Sequence, residues 1–238
     1  MEQGRQALQK SLEDLDALVA GAAVSLGQTG LKGRPAEEVL AGLCRQAALA
    51  SDCAALGPRG LLAARGPAGY QRFTVAELDR EPWQKRLREQ RRPVLSKLFW
   101  TTEGVWGVDL ERPVLDADGQ FLGSVSLVFN PARLAGQVLE PLRDQSRLSF
   151  YLLQTDGMML YHSHPEEIGL NVLEVPLISQ DEAAARVVRR VVSQPRGDAG
   201  PCPVLSEGLP APETCSNLWT TVTLHGVEWR LGVAAGKP

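Results

Sequence analysis

Two stretches of this chain follow one plan: an apolar strand, an Asp-Gly turn and a second apolar strand. The first is LDADGQFLGSVSLVF at 115–129, and the second is LLQTDGMMLYHSHP at 152–165. Asp-Gly between alternating apolar residues is a strong hairpin signal, because a tight turn between antiparallel strands needs residues that tolerate positive φ. The repeated plan predicts two antiparallel sheets in a chain of 238 residues.

Helical patterns surround these hairpins. Apolar residues at spacings of three and four predict a long N-terminal helix over 2–26, ended by Gly27 and Gly30. The other predicted elements are a helix at 34–51, two short strands or a strand and a turn at 52–67, a helix at 75–96, three strands at 97–131, helices at 132–145 and 179–194, and a closing hairpin at 218–235 around His225-Gly226. Helix, paired strands and further antiparallel strands occur in this order twice, which predicts an α+β fold of two modules.

Composition argues against several classes of protein. A net charge of −3, a pI near 5.7 and 5% aromatic residues do not favour nucleic acid as a partner. The longest early apolar run, at 15–27, is interrupted by Asp16 and is too short to cross a bilayer. The chain lacks a G-x-S-x-G elbow, a P-loop and a G-x-G-x-x-G motif that opens a helix, so we expect it not to be an enzyme, and no cofactor is predicted.

The four cysteines, at positions 44, 53, 202 and 215, show no C-x-x-C spacing. One interpretation is that all four are free structural thiols. The other pairs Cys202 with Cys215, which flank a Pro/Gly-rich stretch, and this disulfide would require an oxidising compartment.

Three segments together resemble double Cache sensor domains, which are PAS-like. RPVLDADGQFLGSVSLVFNPARL resembles the hairpin of the first module, and LLQTDGMMLYHSHPEEIGLNV resembles the start of the second. WTTVTLHGVEWRLGVA resembles the closing hairpin, and the first helix resembles the stalk helix that precedes the modules. The resemblance covers the chain from about residue 30 to 236 and rests on the order and spacing of these motifs.

The resemblance implies a long N-terminal helix (1–30), a membrane-distal Cache module (31–145) and a membrane-proximal Cache module (146–238), each a central antiparallel sheet flanked by helices. It implies the extracytoplasmic, periplasmic or extracellular, sensor of a bacterial or archaeal receptor such as a histidine kinase, a chemoreceptor or a cyclic-dinucleotide enzyme. The membrane would then be reached only through segments absent from this chain. The narrow apolar stripe of the first helix also suggests a homodimer formed through it.

In the family a small-molecule ligand sits in the first module. The version that binds amino acids carries an Arg before a Trp-Tyr pair and an Asp on the returning strand; here Glu81 and Val128 occupy those places, so both ionic anchors are altered. The working hypothesis is a small carboxylate or another anion held by Lys97 and the serines. The candidate ligand-binding residues are Trp83, Ser96, Lys97, Phe99, Trp106, Ser124 and Ser126.

Simpler interpretations stay open. The tryptophans could be core, Lys97 could point to solvent and the serines could merely fit. His162 and His164 share a strand face but lack the three or four convergent ligands of a metal site, so surface histidines are expected. The alternatives to a receptor sensor are a ligand-free dimerisation or interaction module and a stand-alone solute-binding protein.

Overall fold

A computed structural model describes residues 1–66, 82–101, 104–146, 149–199 and 215–236 of the protein. Within these ranges helices accompany two antiparallel sheets, which confirms the predicted α+β class. The described helices are α1 (Glu2–Thr29), α2 (Gly33–Gln46), α3 (Pro82–Gln90), α4 (Pro131–Ser146), α5 (Pro176–Ser179) and α6 (Glu182–Ser193).

Each sheet contains one of the two Asp-Gly hairpins. The first sheet has the order β2-β1-β6-β5-β3, with β4 paired to β5, and the second has the order β8-β7-β11-β10-β9. The strands are β1 (Ala50–Leu56), β2 (Leu62–Arg65), β3 (Val94–Leu95), β4 (Phe99–Trp100), β5 (Trp106–Leu115), β6 (Phe121–Phe129), β7 (Ser149–Gln154), β8 (Met159–His162), β9 (Gly197–Ala199), β10 (Cys215–Leu224) and β11 (Val227–Gly236). The two sheets confirm the repeated plan of the sequence.

The chain divides into two compact units. One comprises residues 12–130 and contains the first sheet. The other comprises residues 1–11 and 131–238 and contains the second sheet. Helix α4 belongs to the second of these units, because it packs on β7 and β8.

Local signals explain both hairpins. The Asp116 carboxylate accepts the backbone N–H groups of Asp118 and Gln120, and Gly119 adopts φ +77°. In the second hairpin Gly157 adopts φ +95°. Glycine adopts such angles without the steric cost that a β-carbon imposes, so these turns end the strands where the sequence predicts.

Several predicted helices end elsewhere than expected. Gly27 lies inside α1, where an added β-carbon would lie 2.2 Å from the Leu115 carbonyl oxygen, and the helix ends at Thr29. The predicted helix at 34–51 stops at Gln46, because the backbone from Ala50 onward pairs with β6. Of the predicted helix at 75–96, residues 82–90 are helical and 94–95 form a strand, while the part before residue 82 lies outside the described ranges.

The cysteines differ from the first interpretation of the sequence. Cys44 on α2 and Cys53 on β1 form a disulfide with an S–S distance of 2.06 Å, so the expectation that all four thiols are free was wrong. The proposed partners Cys202 and Cys215 are not tested, because Cys202 and the side chain of Cys215 lie outside the described part of the chain.

The first sheet has two different faces. One face is mostly apolar and buried, and it meets α1 where the partly buried Arg112 pairs with Asp16 at 2.6 Å. Helix α2 packs on the adjacent strand β1. The apolar residues that are completely buried on this face are Cys53, Ala55, Val108, Leu110, Val114, Val125, Leu127 and Phe129. Because strand residues alternate between faces, the residues between these point to the opposite side of the sheet.

The second sheet carries an apolar core. Trp219 on β10 packs with valines of α6 and with Leu153 and Met159 of the hairpin. The indole N–H of Trp219 donates to the carbonyl oxygen of Gln194. On this face of the second sheet the large side chain therefore serves as core, with its polar atom satisfied.

Candidate ligand-binding site

The second face of the first sheet is buried and polar. It carries carboxylates and hydroxyls on three adjacent strands, and we call these residues the polar face: Asp52, Asp109, Glu111, Ser124 and Ser126. The side chains of Asp109 and Glu111 are only 3% and 2% exposed. Acidic residues are rarely buried to this extent without a partner charge, so this face is unlike ordinary core.

Each of the two carboxylates on β5 binds a different serine of β6. The Ser126 hydroxyl donates to Asp109 Oδ1 at 2.6 Å, and the Ser124 hydroxyl donates to Glu111 Oε1. Serine at these positions holds the acids in place, since a hydroxyl bound to a carboxylate also fixes its rotamer.

Burial changes the acidity of both groups. Burial raises the pKa of Glu111 to about 8, with a further rise from the Asp109 charge and smaller opposing effects of Ser124 and Arg88. Burial also raises the pKa of Asp109 to about 6, although the Ser126 hydrogen bond opposes this and the charge of Asp52 adds to it. The polar face therefore has too little positive charge for its acids.

The third acid of the polar face already has a counter-charge. Arg65 on β2 binds Asp52 through two hydrogen bonds, of 3.2 and 2.7 Å. Within the described residues neither Asp109 nor Glu111 forms an ion pair. Both acids without a counter-charge in the described residues thus lie on β5.

Helix α3 adds buried polar atoms beside this strand. It packs on β3 and β5, and Gln84 is 1% exposed. Among the residues that the structure describes, Trp83 Nε1, both amide atoms of Gln84 and Glu111 Oε2 are buried without a hydrogen-bond partner. Each such atom costs on the order of 1–3 kcal/mol, which a bound polar ligand would offset.

Five of the predicted site residues lie on or beside the polar face. Ser124 and Ser126 belong to it, and Trp83 lies on α3 with its ring 6.1 Å from that of Phe99. Ser96 is also close, because its hydroxyl accepts the backbone N–H of Asp109 at 2.8 Å and donates to the Lys97 carbonyl oxygen. Phe99 is counted with these residues because its ring stacks on that of Trp83.

Lys97 and Trp106 are placed differently. The side chain of Lys97 is exposed, whereas the serines that it was expected to assist are buried and donate to other groups. Trp106 lies on the opposite face of β5 from Gly107 and Asp109, because strand residues alternate between faces. Its ring packs edge-on against that of Trp100, with ring centroids 5.0 Å apart. The structure does not bring these two residues together with the buried acids.

The sequence prediction missed Asp109, Glu111 and Gln84. A signal was present in WGVDLERPVL, where two acids alternate with buried apolar residues. On the returning strand β6, Val128 stands where the resemblance led us to expect an Asp. Asp109 on β5 pairs with Val128 on β6, so the two residues share a face of the sheet. The acid expected at Val128 is therefore present on the neighbouring strand.

Two of the histidines of the second unit, His162 and His164, lie near acids. His162 Nδ1 is 2.9 Å from Glu167 Oε2, and His164 Nδ1 is 3.6 Å from Glu166 Oε1. In the described part of the chain no group of three or more potential ligands is arranged to hold a metal ion. None of the helices in the described ranges combines the length and the hydropathy needed to cross a membrane.

The α+β fold and the comparisons with known proteins identify a sensor domain. Residues 10–131 match the family described as HK/GC/Chemotaxis protein-like, sensor domain, and the chain belongs to this family. No curated protein matches the chain.

Solved structures share the whole fold. An extracellular ligand binding receptor from Desulfohalobium retbaense is 31% identical over 99% of this chain, with a TM-score of 0.81. The chain spans 39% of that receptor. The ligand-binding domain of the Pseudomonas fluorescens chemoreceptor CtaA, in complex with L-serine, is 16% identical over 99% of this chain and 93% of its own, with a TM-score of 0.65.

The periplasmic sensory domain of the Campylobacter jejuni chemoreceptor Tlp1 has a similar fold. It is 12% identical over 100% of this chain and 92% of its own, with a TM-score of 0.70. The family and these folds confirm the prediction of an extracytoplasmic sensor domain.

Proposed function

We propose that this sensor domain binds a small ligand with a protonated amine on the polar face of the unit formed by residues 12–130. Asp109 and Glu111 supply the negative charge, and Ser126 and Ser124 hold the two carboxylates. The ligand would bias a transmembrane signalling protein by binding one arrangement of the domain better than another. The proposal contains no catalytic step.

A single observation supports it above all others: two carboxylates are buried on one strand face without an ion pair among the described residues. Taking a charge out of water is costly unless an opposite charge accompanies it. An ammonium group would supply that charge and could donate to Glu111 Oε2, which has no hydrogen-bond partner in the described structure. The site is therefore complementary to a cation.

The same charges argue against the carboxylate or other small anion of the working hypothesis. An anion on this face would meet Asp109 and Glu111 at close range, and like charges repel strongly where water is excluded. The serine hydroxyls that were expected to hold it already donate to the acids. We therefore place the amine, and not an anionic group, at β5.

Helix α3 would recognise the rest of the ligand. The Gln84 amide can donate and accept, and the Trp83 indole can donate. In the neighbouring fold of CtaA the bound L-serine also carries an amino group. A small amine with one further polar group would use every unpartnered atom that the described part of this face offers.

Binding studies with site variants test this function. We expect isothermal titration with a panel of small amines and amino acids to reveal a saturable ligand, and Asp109→Asn or Glu111→Gln to weaken it roughly 10- to 100-fold, because each removes one charge-assisted hydrogen bond. Glu89→Gln is the matched control, since Glu89 is an exposed acid on α3. Equal affinity in all four proteins would contradict the proposed site.

Other parts of the sequence-based picture stay predictions. These are the membrane-distal position of the first module, the membrane-proximal position of the second, and a homodimer through the N-terminal helix. Failure of every amine and anion to bind, together with concentration-dependent dimerisation, would favour the ligand-free interaction module instead.

A further inference from the structure

We propose that the polar face is built for a ligand with two positive charges, a short α,ω-diamine, rather than for a single ammonium group. This inference rests on the proposed function, because it concerns the ligand of the same site. It follows from the number, spacing and anchoring of the carboxylates on β5.

The two acids form separate acceptor positions. Asp109 and Glu111 are two residues apart on one face of a strand, so their α-carbons lie about 6.7 Å apart. Separate hydroxyls, from Ser126 and Ser124, bind them. The carboxylates are therefore held as two neighbours along the strand.

A four-carbon diamine fits this spacing. Five bonds of about 1.5 Å separate its nitrogen atoms, which places them roughly 6 Å apart in the extended form. One ammonium group could then meet Asp109 while the other meets Glu111. Shorter or much longer diamines would leave one acid without its partner.

The balance of charge also calls for two cations. Arg65 already binds Asp52, and the described residues offer neither Asp109 nor Glu111 an ion pair. A ligand with one ammonium group leaves one acid uncompensated or protonated. A zwitterion adds a carboxylate near the same pair, whereas a dication neutralises both.

Helix α3, which packs on β3 and β5, also bears on the choice of a dication. Its buried unpartnered atoms belong to neutral groups, the Gln84 amide and the Trp83 indole: Gln84 Oε1 can accept from an ammonium, whereas the N–H groups of both side chains require an acceptor that the diamine does not supply. Arg88, on the same helix, acts on Glu111 from a distance and more weakly than Asp109 does. The Gln84 carbonyl can accept an ammonium N–H that the carboxylates do not use.

The test compares three ligands with four carbon atoms each on the whole chain: 1,4-diaminobutane, 1-aminobutane and 4-aminobutanoate. 1-Aminobutane lacks the second ammonium group of the diamine, and 4-aminobutanoate has a carboxylate in place of that ammonium group. We expect titration calorimetry to show the diamine binding roughly 10- to 100-fold more tightly than 1-aminobutane, and 4-aminobutanoate binding more weakly than either. This order of affinities is the signature of two acidic subsites.

The same comparison is made on site variants. The ratio of diamine to monoamine affinity is measured within each protein, so a loss of folded protein lowers both signals and leaves the ratio unchanged. Asp109→Asn and Glu111→Gln should each reduce the ratio of diamine to monoamine affinity to within about threefold, and Glu89→Gln should preserve it. If 1-aminobutane or 4-aminobutanoate matches the diamine and its binding still depends on the two acids, the diamine inference fails and the amine-binding function stands. If no amine binds, both fail.

Discussion

At pH 8 the Glu111→Gln variant is expected to be more stable than the unsubstituted protein, and at pH 4 the two are expected to be equally stable. The reason is the burial of Glu111, which raises its pKa from 4.5 to about 8 in the folded state. Below pH 4.5 the carboxyl group is protonated in both states and does not distinguish them. Between pH 4.5 and 8 the unfolded chain releases this proton, and the folded protein retains it.

The free energy of unfolding should therefore fall as the pH rises through this window. The slope is up to ~1.4 kcal/mol per pH unit for each titrating group, so the accumulated effect of Glu111 over its window is on the order of 4–5 kcal/mol. Asp109 contributes in the same direction over a lower window, from 3.8 to about 6. Above pH 8 the curve should level, because both states are then ionised at position 111.

Urea unfolding at pH values from 4 to 9 measures this effect. The profile of Glu111→Gln should be flatter between pH 6 and 8, where Glu111 is the one of the two β5 acids whose protonation still differs between the folded and unfolded states. Glu89→Gln, an equal change at an exposed position, should retain the original slope. Parallel profiles for all three proteins would show that Glu111 is not a buried acid without a counter-charge.

The same acids connect ligand binding to pH. A bound ammonium group favours the ionised carboxylates, so the ligand should displace protons from the polar face. Amine affinity should therefore rise between pH 6 and 8, until the amine itself loses its proton. Titration in buffers of different ionisation enthalpy would measure the protons released.

Removal of the disulfide should have the other large effect. The bond joins Cys44 to Cys53 across a sequence separation of 9 and links α2 to β1. Closure of a loop of this length lowers the entropy of the unfolded chain and contributes ~2–3 kcal/mol in the chain-entropy model. The double variant Cys44→Ser/Cys53→Ser should melt roughly 5–10 °C lower than the unsubstituted protein, given the length of the chain.

Reduction provides an internal control for this experiment. A reducing agent should lower the melting temperature of the unsubstituted protein and leave the double variant nearly unchanged. If the double variant is equally sensitive to reduction, the stabilising disulfide involves the other two cysteines, Cys202 and Cys215. That result would contradict the importance of the Cys44–Cys53 bond.

The hairpins could be predicted from the sequence because their causes are local. An Asp that binds nearby backbone N–H groups and a Gly that adopts positive φ lie within the turn itself. The length of α2 was overestimated for the opposite reason: residues after Gln46 suit a helix, but from Ala50 onward the backbone pairs with β6. Pairing over such sequence distances overrides local propensity.

The site could be predicted only in part. Ser124 and Ser126 were found through alternation on β6, yet their partners on β5 depend on the register between two strands. The exposure of Lys97 depends on how a short irregular segment between β3 and β4 is placed, and periodicity says little about so few residues. The Cys44–Cys53 pair likewise depends on the chain reversing between α2 and β1.

The two-faced strand β5 has a consequence for how such receptors diversify. Val108 and Leu110 secure the core, while Asp109 and Glu111, one position away from each, supply the carboxylates of the proposed site. Mutations at the two acids can therefore alter specificity without changing a buried apolar contact. Related domains could acquire new chemical preferences through single codon changes on this strand, with the scaffold inherited intact.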